Sequence, residues 1–486
     1  MPDDFSNIDV LVLGGGHAAL SAAITARENG ASVLMLECAP RHSRGGNSRH
    51  TRNMRLAHET QVDPYTGAYP EEEYWDDYMR VTGGTGNLEL ARMVIHESAG
   101  CLAWMRQHGV RFQPALAGTL HLGRTNAWFV GGGKAMVNSL FAYAERLGVR
   151  VRYEAEVVGL DIQDGEFRAA LVRLDDSHMV RIGAKTVVAA AGGFQSNLEW
   201  LRQAWGPPAD NFLIRGTPYD TGTVLQAMIN AGVETVGDRT QGHMVPIDAR
   251  SPKFDGGIVT RLDCVTLGIV VNRSGVRFHD EGEEFWSKRY ALWGRLIAQQ
   301  EDQIAFALID SKTLNRFMPS RYPAIKGQTI GEVAMQFGLP VETVEKTVAE
   351  FNQAVQPGTF DHTIFDGCKT ANLTPPKTNW AQRIDIPPFY GYPLRPGLTF
   401  TYFAAKVNER GEVIMKTGQP ATNILAAGEI MAGNLLPKGY PGGFGLAIGN
   451  IYGRIAGQQA AAKARQGSAM TLPVGTGAKE MANHAN

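Results

Sequence analysis

Residues 8–37 read IDVLVLGGGHAALSAAITARENGASVLMLE, and their order decides the fold. The apolar run Ile8–Leu13 predicts a buried strand, Leu20–Asn29 a helix ended by Gly30, and Ala31–Leu36 a second buried strand. Between the first strand and the helix, Gly14-Gly15-Gly16-His17-Ala18-Ala19 fits G-x-G-x-x-A. In that pattern glycines make a tight turn and let backbone approach a pyrophosphate, and the last position needs only a small side chain. Glu37 follows Gly16 by 21 residues, where an acid accepts the ribose hydroxyls of an adenosine. Strand, turn, helix, strand and acid agree on a dinucleotide-binding unit.

The rest of the composition narrows the class. The chain has 486 residues, with Lys+Arg 47 against Asp+Glu 48 and a net charge of -1. Such a balance argues against nucleic acid as the main partner, which needs a basic excess. No run of 18 apolar residues occurs, so no membrane insertion is expected, and the acidic N-terminus MPDDFSNIDV predicts no signal peptide. Cys38, Cys101, Cys264 and Cys368 form no CxxC or CxxCH, which predicts no metal centre, iron–sulfur cluster or c-type haem. Scattered cysteines fit a reducing compartment, and the expected location is cytoplasmic. Glycine is over-represented, 56 residues gathered in short runs, as tight turns beside a ligand require.

Further along, 88–108, 134–147, 288–300 and 329–355 read as helices, and Val151–Val158, Phe167–Leu174 and Thr186–Ala191 as strands. The last of these runs into Gly192-Gly193. From Asp238 to Arg395 the texture turns richer in charge, aromatics and proline, the mark of an inserted second domain. A strand at Asn423–Ala427 follows, then a small-residue helix from Gly443 to Arg465. Residues 464–486 carry little apolar pattern and are expected to be a disordered tail.

Two more stretches carry chemistry. Gly45-Gly46-Asn47-Ser48, opening GGNSRHTRNMR (residues 45–55), offers unhindered N–H groups and a hydroxyl to a pyrophosphate or a flavin edge. Gly443-Phe444-Gly445-Leu446-Ala447 opens a helix whose N-terminus favours an anionic ring. With FHDEGEEFWSKRYA (residues 278–291) and GEIMAGNLLPKGYPGGFGLAIGNIYGRIAG (residues 428–457), these runs resemble the flavoprotein family of fumarate reductases, succinate dehydrogenases and 3-ketosteroid Δ1-dehydrogenases. Within it they look most like the tricarballylate dehydrogenases.

The resemblance implies an α/β fold: a Rossmann-like FAD-binding domain (1–237 and 396–463) with an inserted α+β capping domain (238–395) that closes over the flavin. The cofactor contacts it implies are Gly14, Gly16, His17, Ala18, Ala19, Glu37, Cys38, Gly45, Gly46, Asn47, Ser48, Val157, Ala191, Gly192, Gly428, Glu429, Gly443, Gly445, Leu446 and Ala447. FAD is expected to be non-covalent, because Asn47 stands where some relatives carry a flavin-linking histidine. The family's substrate-binding histidine falls on His243, its threonine on Thr260 and its proton-shuttling arginine on Arg289. Arg261 takes the place of the family's relay glutamate. Thr401 or Tyr402 stands where a second histidine is usual, and Lys438 is nearest to a late substrate-binding arginine.

Exchanging an acid for Arg261 raises the positive charge of the site, as a small polycarboxylate with three carboxylates rather than two requires. The expected activity is oxidation of tricarballylate to cis-aconitate by hydride transfer to flavin N5. The resemblance further implies a membrane-bound electron-acceptor protein. Two alternatives stay open: reduction of an unsaturated polycarboxylate, and a flavin-binding redox protein without turnover.

Overall fold

A computed structural model describes residues 5–114, 122–174 and 178–466. Its centre is a six-stranded sheet built on the unit at residues 8–37. Strand β1 (Val10–Leu13) leads through the glycine turn into helix α1 (His17–Glu28), which returns to β2 (Val33–Leu36). Next to β2 lies β3 (Arg150–Arg152), and on the other side of β1 lies β4 (Thr186–Ala189), all parallel. Every residue of β1, β2 and β4 is buried, as parallel strands covered on both faces demand.

A second sheet carries the intervening chain. It holds β5 (Gly242–Asp248) and β6 (Ile269–Asn272), then, after helix α2 (Trp286–Ala298), β7 (Ala305–Asp310) and the long β8 (Phe389–Thr401). Strand β8 pairs antiparallel with both β5 and β7. The chain then rejoins the first sheet through β9 (Glu412–Ile414) and β10 (Pro420–Ala426), giving the order β9-β10-β4-β1-β2-β3. The last helix, α3 (Phe444–Gln466), packs along α1. The architecture is therefore a Rossmann-like α/β layer with an inserted α+β cap. No described helix is long and apolar enough to cross a membrane.

Three elements differ from the sequence-based expectation. Val151–Val158 is two strands, β3 and Glu156–Gln163, in different sheets, because Glu154 turns the chain at φ 54°. The helix expected at 88–108 breaks into Leu88–Ser98 and Cys101–Gln107 at Ala99-Gly100. The one expected at 329–355 breaks into Ile330–Gln336 and Val341–Ala354, where Gly338 takes φ 66° and Pro340 cannot continue a helix. Of the expected tail, Ala464–Gln466 complete α3, and residues 467–486 lie outside the described residues.

The contact between α1 and α3 positions both glycine-rich ends of the chain. Gly449, Gly453 and Gly457 face Ala18, Ser21 and Ala22 so closely that a Cβ on Gly453 would stand 2.6 Å from the Ala18 carbonyl oxygen. A backbone obstacle cannot be relieved by a rotamer change. Gly453→Val is therefore expected to cost about 1–3 kcal/mol, read as a lower urea midpoint, and an unchanged midpoint would contradict this packing.

Candidate active site

A cavity of about 330 Å³ opens where the β1–α1 turn, the ends of β2 and β4, and the start of α3 converge. It is lined by Gly14, Gly16, His17, Ala18, Glu37, Cys38, Gly46, Asn47, Ser48, Val157, Ala191, Gly192, Gly428, Glu429, Gly445 and Leu446. Ala19, Gly45, Gly443 and Ala447, expected in the same role, do not line it. Gly14 adopts φ 113°, and a Cβ there would drive into the Ala190 carbonyl oxygen, so the turn admits only glycine. Ser48 Oγ accepts from the His17 N–H at 3.0 Å and ties the second loop to the helix start.

The donor and acceptor set of this end fits FAD. The start of α1 and the loop at Gly46–Ser48 offer N–H groups to a diphosphate, and both ring nitrogens of buried His17 lack a hydrogen-bond partner. Burial drives His17 down to about 3, so its ring is neutral. Three buried carboxyls surround the same end. Glu37 accepts from the N–H groups of Ala39 (3.0 Å) and Gly45 (3.2 Å). Glu429 accepts from Thr401 N at 2.8 Å, and Asp220 from Gln195 Nε2 at 2.7 Å. Burial pushes all three above the ordinary carboxylate range, Glu429 to about 8; Asp220 is raised further by Glu429 and Glu37. Their oxygens are acceptors suited to sugar hydroxyls.

The other end of the cavity is basic. Arg215, 4% exposed, lines it, and its Nε and Nη1 have no hydrogen-bond partner. Its backbone is fixed on both sides: its N–H donates to the Leu398 carbonyl of β8, and its carbonyl accepts from Gly257 N. His243, on β5, lines the cavity as well, with Nε2 unpartnered and its ring stacked on Tyr440 at 4.1 Å. Burial, then Arg215 and Arg261, hold His243 well below its usual range, so it is neutral. Burial and Arg261 lower Arg215 to about 10.

Arg261 is buried too, and Asp263 grips it with two bonds of 2.6 and 2.7 Å. It lies 4.7 Å from the centre of the Tyr290 ring, which itself meets His243 edge-on at 5.4 Å. The structure thus brings His243 and Arg261 together, as expected from the sequence. Thr260 sits beside them in the chain with its hydroxyl turned to the Gly257 carbonyl, 2.9 Å away. Thr401 faces Glu429 rather than the basic end, and Tyr402 donates to the Gly439 carbonyl at 2.6 Å from within the core.

Of the residues expected at the substrate, His243 lines the cavity, whereas Thr260, Arg261, Thr401, Tyr402, Arg289 and Lys438 do not, the last two lying farthest from that role. Arg289 forms a two-bond ion pair with Glu283, 2.6 and 3.0 Å, with 39% of its side chain exposed. Glu283, six residues earlier in the loop before α2, captures it outside the cavity lining. Lys438 lies exposed against Gly83 at the end of helix Glu71–Thr82. Conversely, Arg215, Asp220 and Tyr440 line the cavity without having been singled out in the sequence. For Asp220 a signal exists: Asp220-Thr221-Gly222 precedes helix Thr223–Asn230 as a turn. Arg215 follows a strand of only two residues and has no such mark.

Comparison with known proteins agrees with this geometry. A family model described as FAD binding domain matches residues 9–443. The chain belongs to that FAD-binding family. This flavoprotein is 25% identical over 467 residues to an NADH:fumarate oxidoreductase of Klebsiella pneumoniae (strain 342), covering 94% of this chain and 48% of the relative. It therefore spans about half the length of that protein. A probable fumarate reductase of Shewanella frigidimarina is 25% identical over 93% of this chain and 74% of its own. The open conformation of a flavocytochrome c3 fumarate reductase superposes with a TM-score of 0.73 at 23% identity, covering 94% of this chain and 78% of the other.

Two tests follow. Gly14→Val is expected to purify without the visible absorbance of flavin; a variant as yellow as the parent would show that the turn does not approach the cofactor. The second concerns pH. Glu429 is raised on folding, so its contribution to apoprotein stability is complete below the ordinary carboxylate range and is lost as pH rises through about 8. Glu429→Gln should flatten the fall in apoprotein stability between these limits by up to one proton, about 1.4 kcal/mol per pH unit. An unchanged slope in denaturation series would contradict the assignment.

Proposed function

We propose that this flavoprotein is an oxidoreductase acting on a small polycarboxylate, and that its reaction is the oxidation of tricarballylate to cis-aconitate. One observation carries this reading: buried guanidinium groups at the basic end outnumber the carboxylates that face them. Asp263 holds Arg261 with both oxygens and makes no ion pair with Arg215. Buried charge without a partner is strongly unfavourable, so the site is built to receive anionic groups. A bulky neutral steroid would leave Arg215 unanswered.

FAD, when bound, supplies the acceptor for a hydride. The chain's own residues bind and orient. Arg215 holds a carboxylate through Nε and Nη1, and a cation beside that carboxylate favours loss of the neighbouring proton as charge builds there. His243, neutral with Nε2 unpartnered, takes that proton, the substrate's carboxylates offsetting the guanidinium groups that otherwise keep the ring uncharged. Tyr440, stacked on His243, holds that ring in place and closes the wall against water. Arg289, paired outside the cavity, is given no proton to carry.

We place residues 1–237 and 396–463 around the cofactor, with 238–395 as the cap. The given sequence carries no haem or iron–sulfur motif, so the electrons pass to another protein or a diffusible acceptor, and the family resemblance favours a membrane-bound protein. The reductive direction is the second reading, favoured by the relatives, whose names include a probable fumarate reductase, an NADH:acrylate oxidoreductase and a urocanate reductase.

Anaerobic mixing of the FAD-loaded protein with tricarballylate, succinate or a 3-ketosteroid tests the proposal. Tricarballylate is expected to bleach the flavin, and the steroid to leave it yellow. Arg215→Met should keep its colour yet need about ten to a hundred times more tricarballylate. Bleaching by the steroid, or by tricarballylate at an unchanged concentration in that variant, would overturn the reading.

A further inference from the structure

The polycarboxylate reading leaves the buried cation Arg52 unused. Arg52 lies in the stretch between the cofactor loop and strand Asn53–Arg55; its neighbours His50 and Thr51 line the cavity. It is 9% exposed, with its guanidinium 5.2 Å from the centre of the Trp128 ring. Its Nη1 rests on Met318 Sδ at 2.6 Å, a contact with the cap that offers almost no charge. Nε and Nη2 make no hydrogen bond.

Among the described residues its ion-pair partner is Asp263, whose Oδ2 stands 3.6 Å from Nη2. That acid is already committed. It grips Arg261 with both oxygens and accepts from Trp286 Nε1 at 2.7 Å. These partners hold Asp263 low against the pull of burial, so it stays a single negative charge. Burial, then Arg261, lower Arg52 to about 9, with Arg215 adding to the shift. Arg52, Arg215 and Arg261 thus feel one another, and one negative charge serves three positive ones.

Buried arginines usually end in full hydrogen-bonded pairs, because their planar fork matches a carboxylate. Arg261 reaches that state within the chain, whereas Arg52 and Arg215 do not. They come from different parts of the fold, Arg52 from the cofactor loop and Arg215 from the strand facing β8. Two separated cations, each short of one carboxylate, describe a ligand that spreads its acids along a short carbon chain.

We propose that Arg52, beside the Arg261–Asp263 pair, forms a second carboxylate subsite, and that it selects tricarboxylates over dicarboxylates. The subsite rests on the polycarboxylate reading of Arg215 and adds a specificity-determining residue to it. Its ligand class is a propane tricarboxylate, with one acid on Arg215 and another on Arg52. A dicarboxylate satisfies Arg215 and His243 and leaves Arg52 in its loose contact with Asp263.

The test uses the FAD-loaded protein and two probes, tricarballylate and 2-methylsuccinate, which lacks one terminal carboxylate. Dissociation constants are read anaerobically at constant ionic strength by calorimetry on the dithionite-reduced FAD-loaded protein, whose flavin cannot take a hydride from either probe. The parent is expected to prefer tricarballylate by about tenfold or more. In Arg52→Met that preference should fall to near one, through weaker tricarballylate binding alone, while Arg52→Lys regains part of it. Flavin content and the thermal midpoint confirm that each variant is folded; if Arg52→Met is not, the Arg52→Lys ratio decides, an intermediate value supporting the subsite and an unchanged one refuting it. Equal weakening of both probes in Arg52→Met would reduce Arg52 to a diffuse positive field and overturn the subsite. Failure of both probes to bind the parent would instead remove the polycarboxylate reading beneath it.

Discussion

Three guanidinium groups buried around one carboxylate form the constraint on which the site depends. Asp263 answers Arg261 in full, touches Arg52 and makes no ion pair with Arg215. Water would relieve such an excess on a surface; in a buried pocket it persists only if the surrounding structure enforces it. The enforcement is visible in the backbone. Arg215 is pinned between β8 and the Gly257 turn, and Asn47 links the cofactor loop to the Thr217 N–H at 2.8 Å. Arg261 pairs by a bridge with Ile247 of β5.

The opposite end of the cavity has the reverse electrostatics. There Glu37, Asp220 and Glu429 are buried among hydrogen-bond donors, and burial raises all three above the ordinary carboxylate range. The two ends meet because α1 and α3 pack through glycine at a separation no larger residue allows. That contact puts Gly428 and Gly445 opposite His17 and Ala18, so the first and last segments of the sheet domain form one wall. A polar dinucleotide end and a cationic end then share one cavity, joined by His243, Tyr440 and Phe400.

Much of the dinucleotide end was legible in the sequence, because its signals are local. A glycine turn, a small-residue helix and an acid after the second strand have fixed spacing, and those residues do line the cavity. The cationic end was legible only in part. His243 and Arg261 were identified through runs near them in the chain. Arg289 and Lys438 were expected there by counting along the chain, yet Glu283 draws Arg289 outward and Lys438 lies over Gly83. Arg52 and Arg215 had no local pattern to mark them. Their burial follows from β8 crossing to the β5 and β7 side and from the cap covering the cofactor loop, contacts between residues far apart in sequence. The helix breaks at Gly100 and Gly338 were missed for the opposite reason: apolar periodicity continues through them although the backbone does not.

A crystal structure of the FAD-loaded protein with tricarballylate would test the central claim most directly. The buried cation excess predicts one carboxylate bonded to Nε and Nη1 of Arg215, with Arg261 still gripping Asp263. A ligand held by Arg289 and Lys438, or Arg215 paired with an acid of its own chain, would contradict it.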